Sequence, residues 1–155
     1  MTAKTKPESI TILMADDDAE DRQWTKEAFE GVHLANDLRF VENGVELLDY
    51  LHRHGKYSDP SQSPRPGLIL LDLNMPKKDG RESLAEIKSD PDLQGIPVVV
   101  LTTSKAEEDI HRSYQLHANS YITKPVMFES LVKVVKNLGE YWLQVVELPK
   151  GSNGV

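Results

Sequence analysis

The 155-residue sequence contains no cysteine, no basic stripe and no long apolar run. Without cysteine there can be no disulfide, thiol catalysis or cysteine-ligated metal, and this composition is typical of a cytoplasmic protein. A net charge of −7 argues against binding to nucleic acid. No apolar run approaches the ~20 residues of a membrane span, and residues 1–7 carry no apolar signal core. We therefore expect neither membrane insertion nor secretion.

Short apolar runs with the composition of strands recur along the chain. They are Ile10–Ala15, Leu38–Val41, Leu68–Leu71, Val98–Leu101 and Ser120–Thr123. The third run has four large aliphatic residues without alternation, which indicates a strand covered on both faces. Segments with helical patterns separate the runs, and this alternation is typical of a parallel sheet with crossover helices. The sequence predicts an α/β fold, a doubly wound five-stranded parallel sheet flanked by helices.

Five segments between and after these strands are predicted to be helices. They cover residues 20–30, 44–54, 81–89, 105–117 and 128–146. Gly55 is expected to end the second helix, and the residue before Pro91 resists helical backbone and should end the third. The residues expected to face the core are Trp24, Ala28 and Phe29 on the first helix and Val45, Leu48 and Leu51 on the second.

The segment 56–67 carries prolines and serines and is longer than most connections between a helix and a strand. We interpret it as a surface insertion, because the strand pattern resumes directly after it. The chain is then expected to hold one domain over residues 9–148, with flexible tails at 1–8 and 149–155. The second tail is too short and too polar to fold as an output domain.

The last predicted helix is apolar on two sides. One stripe is Phe128, Leu131, Val132, Val135, Leu138, Trp142 and Val145, and a second is Met127, Val134, Tyr141 and Leu148. Burial against one sheet requires only one apolar face. The helix has either a wide core face or a second face that packs against another chain. The large adjacent residues Tyr141 and Trp142 favour a homodimer formed through this C-terminal region.

Polar residues follow the predicted strands where each one ends. Acidic residues Asp16–Asp18 follow the first strand, Asp72 follows the third, Thr102 ends the fourth, and Lys124 follows the fifth. The carboxyl ends of parallel strands meet at one edge of the sheet, so these groups should converge. Crowded carboxylates repel one another, and a divalent cation removes that conflict. The pattern predicts a site for Mg²⁺, which prefers oxygen ligands, and for a phosphoryl group.

Phosphoryl transfer to Asp72 requires a cation to neutralise the phosphate and donors to hold its oxygens. Asp16 and Asp17 can supply carboxylates, and a backbone carbonyl from the turn after Asp72 can supply a further oxygen. Lys124 can pair with the carboxylate or phosphate as a point charge, and the Thr102 hydroxyl can donate to a phosphate oxygen. The third acid of the run, at position 18, is expected to cap the following helix.

Taken in order, these motifs resemble the receiver domain of two-component response regulators. The matching pieces are Asp16-Asp17, the run Leu70–Gly80 around the acceptor, Thr102, Tyr121 and Lys124-Pro125. The resemblance runs from Ile10 to about Leu143. The segments 50–55, 70–82 and 140–149 further resemble the single-domain response regulators that partner phytochrome histidine kinases in cyanobacteria and other bacteria. Those relatives often dimerise through their C-terminal half.

The resemblance implies an acceptor and a metal site. Asp72 would be the phosphorylated aspartate. Asp17 would bind Mg²⁺ directly and Asp16 through water, and Asn74 would contribute its backbone carbonyl. The phosphoryl group would come from a histidine kinase, of the phytochrome type if the narrower resemblance holds. The chain would be a signalling protein and no enzyme, apart from catalysing its own phosphorylation and dephosphorylation.

The resemblance also implies a switch. Lys124 would contact the phosphate, Thr102 and Tyr121 would form the switch pair, and the Lys124-Pro125 peptide would be cis, which costs little before proline. Thr102 would move towards the phosphate and Tyr121 would rotate into the vacated space. The face formed by the fourth predicted helix, the fifth strand and the fifth predicted helix would then repack.

Three other functions fit the sequence less well. A receiver-like binding module that is no longer phosphorylated should lack at least one residue of the phosphorylation site, but this chain has a suitable residue at every such position. A phosphohydrolase of the haloacid dehalogenase type uses a second aspartate two residues beyond the first, where this chain has Asn74, which cannot protonate a leaving group. A flavin at the sheet edge would place its phosphate beside Asp16 and Asp17. Without a metal, these acids argue against binding an anionic phosphate there.

Overall fold

In the computed structural model of the protein, the residues described are 10–31, 36–102 and 117–137. Within these ranges the strands are β1 (Thr11–Ala15), β2 (Asp37–Val41), β3 (Leu68–Asp72), β4 (Val98–Thr102) and β5 (Ser120–Thr123). The helices are α1 (Ala19–Gly31), α2 (Gly44–His52), α3 (Gly80–Ser89) and α4 (Phe128–Asn137), with a 3-10 turn at Gly55–Tyr57. The strands form one parallel sheet in the order β2-β1-β3-β4-β5. The predicted fold is confirmed.

The register of the sheet aligns the carboxyl ends of its central strands. Ala15 of β1 lies opposite Leu71 of β3, and Asp72 lies opposite Leu101 of β4. The residue that follows β1 and the last residue of β3 therefore leave the sheet side by side. This register places the predicted acidic residues at the same edge.

Apolar side chains cover both faces of the sheet. Alternate strand residues point to opposite sides, and every side chain of Leu68–Leu71 is fully buried. One apolar layer includes Leu47 of α2 and Leu84 of α3. The other includes Phe29 of α1 and Leu131 of α4. This arrangement confirms the interpretation of the third run as a strand covered on both faces.

Helix α1 turns a different face to the core from the one predicted. Phe29 is buried and Ala28 is partly buried, as expected, but Trp24 is 51% exposed. The inward row is Thr25 and Phe29, four residues apart, and Thr25 is also buried. Because successive helical residues are separated by about 100° around the axis, Trp24 lies beside this row and not within it. The predicted burial of Trp24 was wrong.

The buried face of α2 was predicted in part. Leu48 is buried and Leu51 is partly buried against the core, as expected. Leu47 is fully buried, whereas Val45 is 43% exposed. The prediction placed Val45 inward from its spacing to Leu48, but the helix is rotated so that Gly44, Leu47 and Leu48 lie on the buried face and Val45 lies beside it.

The end of α2 also differs from the prediction. The helix ends at His52, and Arg53 adopts the left-handed conformation with φ 58°. In that conformation the Arg53 N–H donates to the Tyr50 carbonyl at 3.2 Å, which closes the last turn. Gly55, the predicted stop, instead begins the 3-10 turn. The left-handed cap that usually favours glycine is here supplied by arginine.

The insertion over 56–67 is fixed to the domain. The Tyr50 hydroxyl donates to the Pro64 carbonyl at 2.8 Å, and the rings of Tyr50 and Tyr57 lie 5.1 Å apart. The Gly67 N–H donates to the Thr11 carbonyl at 2.8 Å, which returns the chain to the sheet. The segment therefore packs as part of the domain, as a surface insertion should.

Helix α4 begins at Phe128, as predicted, and is described as far as Asn137. Leu131 is fully buried, but Val134 of the second apolar stripe is buried too, while Met127 is 42% exposed. At Val134, therefore, the second stripe faces the core and not the outside of the domain. The rest of the predicted last helix, with Tyr141 and Trp142, lies outside the described residues, as does almost all of the helix predicted over 105–117.

Candidate functional site

The acidic residue that follows β1 is buried. Asp16 is fully buried, and its N–H donates to the Val41 carbonyl at 3.1 Å. Its Oδ1 accepts a hydrogen bond from the Asp18 N–H at 2.9 Å, and its carbonyl accepts one from Arg22 Nη1 at 2.7 Å. Asp17, the next residue, is exposed. One carboxylate of the pair is thus held rigidly, and the other faces solvent at the same edge.

Asp72 is the last residue of β3 and is 6% exposed. Its Oδ1 accepts a hydrogen bond from the Asn74 N–H at 3.1 Å, and its Oδ2 lies 3.3 Å from Lys124 Nζ. Burial raises the pKa of the Asp72 carboxyl, and the nearby charge of Asp16 adds to this, against the Asn74 N–H and Lys124, which lower it. The residue is a carboxylate held in one orientation, with raised basicity.

The Lys124 ammonium lies at the centre of the acidic cluster. Its side chain is 8% exposed, and Nζ is 2.6 Å from Asp16 Oδ2, 2.9 Å from Asp21 Oδ2 and 3.3 Å from Asp72 Oδ2. The contact with Asp16 is an ion pair, because Asp16 Oδ2 accepts no hydrogen bond from the described residues. Burial lowers the pKa of Lys124, but the carboxylates outweigh it and the pKa is raised. Lys124 stays charged, and its peptide bond to Pro125 is cis, as predicted.

Asp21 was missed by the reasoning from sequence. It lies in the first turn of α1, and no role was predicted for it. Its carboxylate instead reaches a lysine 103 positions away in sequence. The inward row of α1 could have identified it, because Asp21 lies four residues before Thr25 and shares its face.

The residues at this edge fit a divalent cation. Asp16, Asp17 and Asp72 each offer one carboxylate oxygen, and these oxygens lie within 4.8 Å of one another. A set of hard oxygen donors with excess negative charge is the donor set that Mg²⁺ requires. Asp18 does not belong to this group, since its Oδ1 accepts the Glu20 N–H at 2.8 Å and caps α1, as predicted.

The remaining predicted residues are positioned by the sheet. Thr102 ends β4, one strand beyond Asp72, and pairs in register with Thr123. Tyr121 lies inside β5, is half-buried, and packs against the apolar layer that includes α2 and α3. Asn74 contacts Asp72 through its N–H, and the role predicted for its carbonyl stays a prediction. The structure brings the acids and Lys124 together, while Tyr121 lies outside that cluster.

Fold and site together define an open α/β protein with a carboxylate, a lysine and a cation-type donor set at the carboxyl edge of its sheet. Residues 12–136 match the response regulator receiver domain family. The response regulator Rcp1 of Synechocystis sp. is 44% identical over 149 residues, which cover 96% of this chain and 99% of Rcp1. This chain belongs to the receiver domain family. It is a signalling protein with the phosphoacceptor function of two-component systems.

Solved structures agree with this assignment. The crystal structure of the Mn²⁺-bound form of Rcp1 is 45% identical, with a TM-score of 0.68, and covers 90% of this chain and 99% of that one. The bacteriophytochrome response regulator AtBRR is 40% identical, with a TM-score of 0.78, over 91% of this chain and 100% of that one. The phosphorylated cyanobacterial phytochrome response regulator RcpA is 44% identical, with a TM-score of 0.71, over 89% of this chain and 99% of that one.

Among the described residues, no helix has the length and apolar character needed to cross a membrane.

Proposed function

We propose that Asp72 is the phosphoryl acceptor of this receiver domain and that Mg²⁺ is its cofactor. The observation that carries the proposal is the position of one buried carboxylate, 3.3 Å from the Lys124 ammonium and within 4.8 Å of the Asp16 and Asp17 oxygens. A carboxylate with a pKa raised by burial is a better nucleophile than an exposed one. Asp17 and Asp72 would hold the cation directly, Asp16 would hold it through water, and Asn74 would contribute its carbonyl.

The transfer is a single displacement at phosphorus. A carboxylate oxygen of Asp72 attacks a phosphohistidine, so that a P–O bond forms as the P–N bond breaks and the released imidazole takes up a proton. Lys124 pairs with the negative phosphoryl oxygens and Thr102 donates its hydroxyl to one of them. Mg²⁺ held by Asp16, Asp17 and Asp72 would neutralise charge on the transferring group. Water later attacks the phosphorus of the acyl phosphate, the P–O bond to Asp72 breaks, and orthophosphate leaves as the Asp72 carboxylate is restored. By this cycle the chain catalyses its own phosphorylation and dephosphorylation.

The response to phosphorylation is a population shift. Thr102 moves towards the phosphoryl group, and Tyr121 turns into the space that Thr102 leaves. Tyr121 is half-buried in β5, where it packs against the apolar layer that includes α2 and α3. Its rotation would change the surface at β5 and with it the face formed by the fourth predicted helix, β5 and α4. Partners that bind this face then distinguish the two states.

The partner that delivers the phosphoryl group is a histidine kinase, and we propose a phytochrome-type photoreceptor kinase. Two similar structures are those of phytochrome response regulators, AtBRR and RcpA. The sequence segments 50–55, 70–82 and 140–149 resemble the same group. We also propose that residues 9–148 form one receiver domain, which the family match over 12–136 supports. The absence of cysteine supports a cytoplasmic location.

Phosphotransfer profiling tests the kinase assignment. Purified kinases, phosphorylated on histidine and including a phytochrome-type kinase, are mixed with the chain and Mg²⁺, and the initial rate of loss of kinase label is measured. We expect the phytochrome-type kinase to transfer faster than the others by about tenfold or more, because cognate pairs are selected by complementary surfaces. Equal rates across the panel, or a clear preference for another class of kinase, would refute the phytochrome assignment.

We propose that the C-terminal region pairs two chains. The sequence places large apolar residues, Tyr141 and Trp142, beyond the described part of α4, and Met127 at its start is 42% exposed. Trp142→Ala is expected to raise the dimer dissociation constant by at least about tenfold, as truncation of an interface tryptophan does. Analytical ultracentrifugation measures this constant.

Trp24→Ala is the matched control for the dimer. It removes the other tryptophan of the chain, which is 51% exposed on α1, and should leave the dissociation constant unchanged. A wild-type chain that is monomeric at all concentrations, or a Trp142→Ala chain with unchanged mass in solution, would rule out this interface.

A further inference from the structure

Among the described residues, Asp21 is the one carboxylate in contact with Lys124 for which the proposed phosphoacceptor function has no use. The ammonium is nearly buried, and its contacts with Asp16, Asp21 and Asp72 measure 2.6, 2.9 and 3.3 Å. Asp16 and Asp72 also belong to the group whose oxygens could hold a cation, and Asp21 does not. Two of the three partners of Lys124 are therefore shared with the metal, and the third is not.

This sharing creates a conflict between two cations. The Lys124 ammonium lies 2.6 Å from Asp16 Oδ2, and it therefore neutralises negative charge that a divalent ion needs in order to bind. When Mg²⁺ binds, its charge weakens the attraction of Asp16 and Asp72 for Lys124 and repels the ammonium directly. An ammonium that lost its partners in a nearly buried position would lose solvation without compensation. Lys124 must nevertheless stay near Asp72 to meet the phosphoryl group.

We propose that Asp21 is a positioning residue that retains the Lys124 ammonium at the site when a divalent cation occupies Asp16, Asp17 and Asp72. The inference rests on the proposed function, because it takes these carboxylates as the metal site. Because the ion pair with Asp21 remains, the Lys124 ammonium can lose its contact with Asp16 and still lie close to Asp72. The two positive charges then occupy the same acidic cluster on separate carboxylates.

The start of α1 is built to hold Asp21 in place. The Asp18 carboxylate caps the helix and accepts the Asp21 N–H at 3.3 Å. The Thr25 hydroxyl, which is buried, donates to the Asp21 carbonyl at 3.0 Å. Arg22, the next residue, donates from Nη1 to the Asp16 carbonyl at 2.7 Å, which ties the helix to the acidic pair itself. The carboxylate that holds Lys124 is thus fixed relative to the carboxylates that would hold the metal.

Titration of the chain with Mg²⁺ alone, followed by isothermal calorimetry, tests this role. Asp21→Asn should weaken Mg²⁺ binding by about tenfold, because Lys124 then competes for Asp16 and Asp72 without an alternative partner. Glu20→Gln is the matched control, since it removes an exposed carboxylate from the same helical turn. Its effect should stay below about twofold, because exposed charges are screened. Equal effects of the two substitutions on Mg²⁺ affinity would overturn the proposal, because long-range electrostatics alone would then explain both.

A second background separates positioning from simple charge. In Lys124→Met, no ammonium competes, so adding Asp21→Asn should change the Mg²⁺ affinity by less than about twofold. A full tenfold loss in that background would overturn the role of Asp21 while leaving the metal site intact. Asp21→Glu, which keeps the carboxylate, should recover at least half of the lost affinity on a logarithmic scale. If the Lys124→Met chain fails to fold by circular dichroism, the comparison with Glu20→Gln decides alone. Absence of saturable Mg²⁺ binding by the wild-type chain would instead refute the metal site.

Discussion

Asp72→Asn is expected to abolish phosphorylation of the chain by acetyl phosphate or by a cognate kinase. Asparagine has the shape of aspartate, but its amide has no carboxylate oxygen able to attack phosphorus and form an acyl phosphate. The residue lies at the end of β3 and is only 6% exposed, so the substitution changes the chemistry more than the packing. Intact-mass spectrometry after incubation with the donor and Mg²⁺ measures the phosphorylated fraction, which should fall to background.

Asp18→Asn is the matched control for this experiment. It makes the same change within the acidic run that follows β1, at a carboxylate whose Oδ1 caps α1. Because asparagine caps helices as well as aspartate does, the variant should fold and be phosphorylated like the wild type. Undiminished labelling of the Asp72→Asn chain, with the same site modified as in the wild type, would show that the acceptor lies elsewhere.

Lys124→Ala is expected to lower the rate of phosphorylation by about 100-fold, the usual loss when one preorganised electrostatic contact to a developing charge is removed. The ammonium is the one positive group that the described residues bring within 3.3 Å of Asp72 Oδ2. Its removal also leaves Asp16 and Asp72 buried without their countercharge, which should cost about 3 kcal/mol in the free energy of unfolding without Mg²⁺. Mg²⁺ should restore part of that stability, because it binds the folded site.

The measurements for Lys124→Ala are acetyl phosphate kinetics and urea denaturation with and without Mg²⁺. Lys88→Ala serves as control: this half-buried lysine donates to the Ile96 carbonyl at 3.2 Å and to Asn119 Oδ1 at 2.8 Å, within a different network. It should lose stability but keep the wild-type rate of phosphorylation. If Lys124→Ala is unfolded even with Mg²⁺, or is phosphorylated at the wild-type rate, Lys124 is a structural residue and the proposed role is wrong.

The sheet and its edge were predictable because they depend on short-range signals. A run such as Leu68–Leu71 admits few structures other than a strand covered on both faces, and parallel strands necessarily bring their carboxyl ends together. Asp16, Asp72 and Lys124 therefore converge as expected, although they are distant in sequence. Their assignment to one site required only the order of the strands and the residue that follows each.

The helix faces were less predictable, since a rotation of one residue changes which side chains are buried. Trp24 and Val45 were both placed inward by spacing alone and are 51% and 43% exposed. The same uncertainty concealed Asp21, which belongs to the inward row of α1 and contacts Lys124. The predicted end of α2 failed for another reason: Arg53 accepts a left-handed conformation, with φ 58°, that sequence rules assign to glycine.

A crystal structure of the chain grown with Mg²⁺ and a phosphoryl mimic such as beryllofluoride tests the account most directly. We predict that the cation contacts the carboxylates of Asp17 and Asp72, that the mimic is attached to Asp72, and that the Lys124 ammonium lies against the mimic. A cation bound elsewhere, or an Asp72 carboxyl directed away from both Asp17 and Lys124, would contradict the proposed phosphoacceptor site.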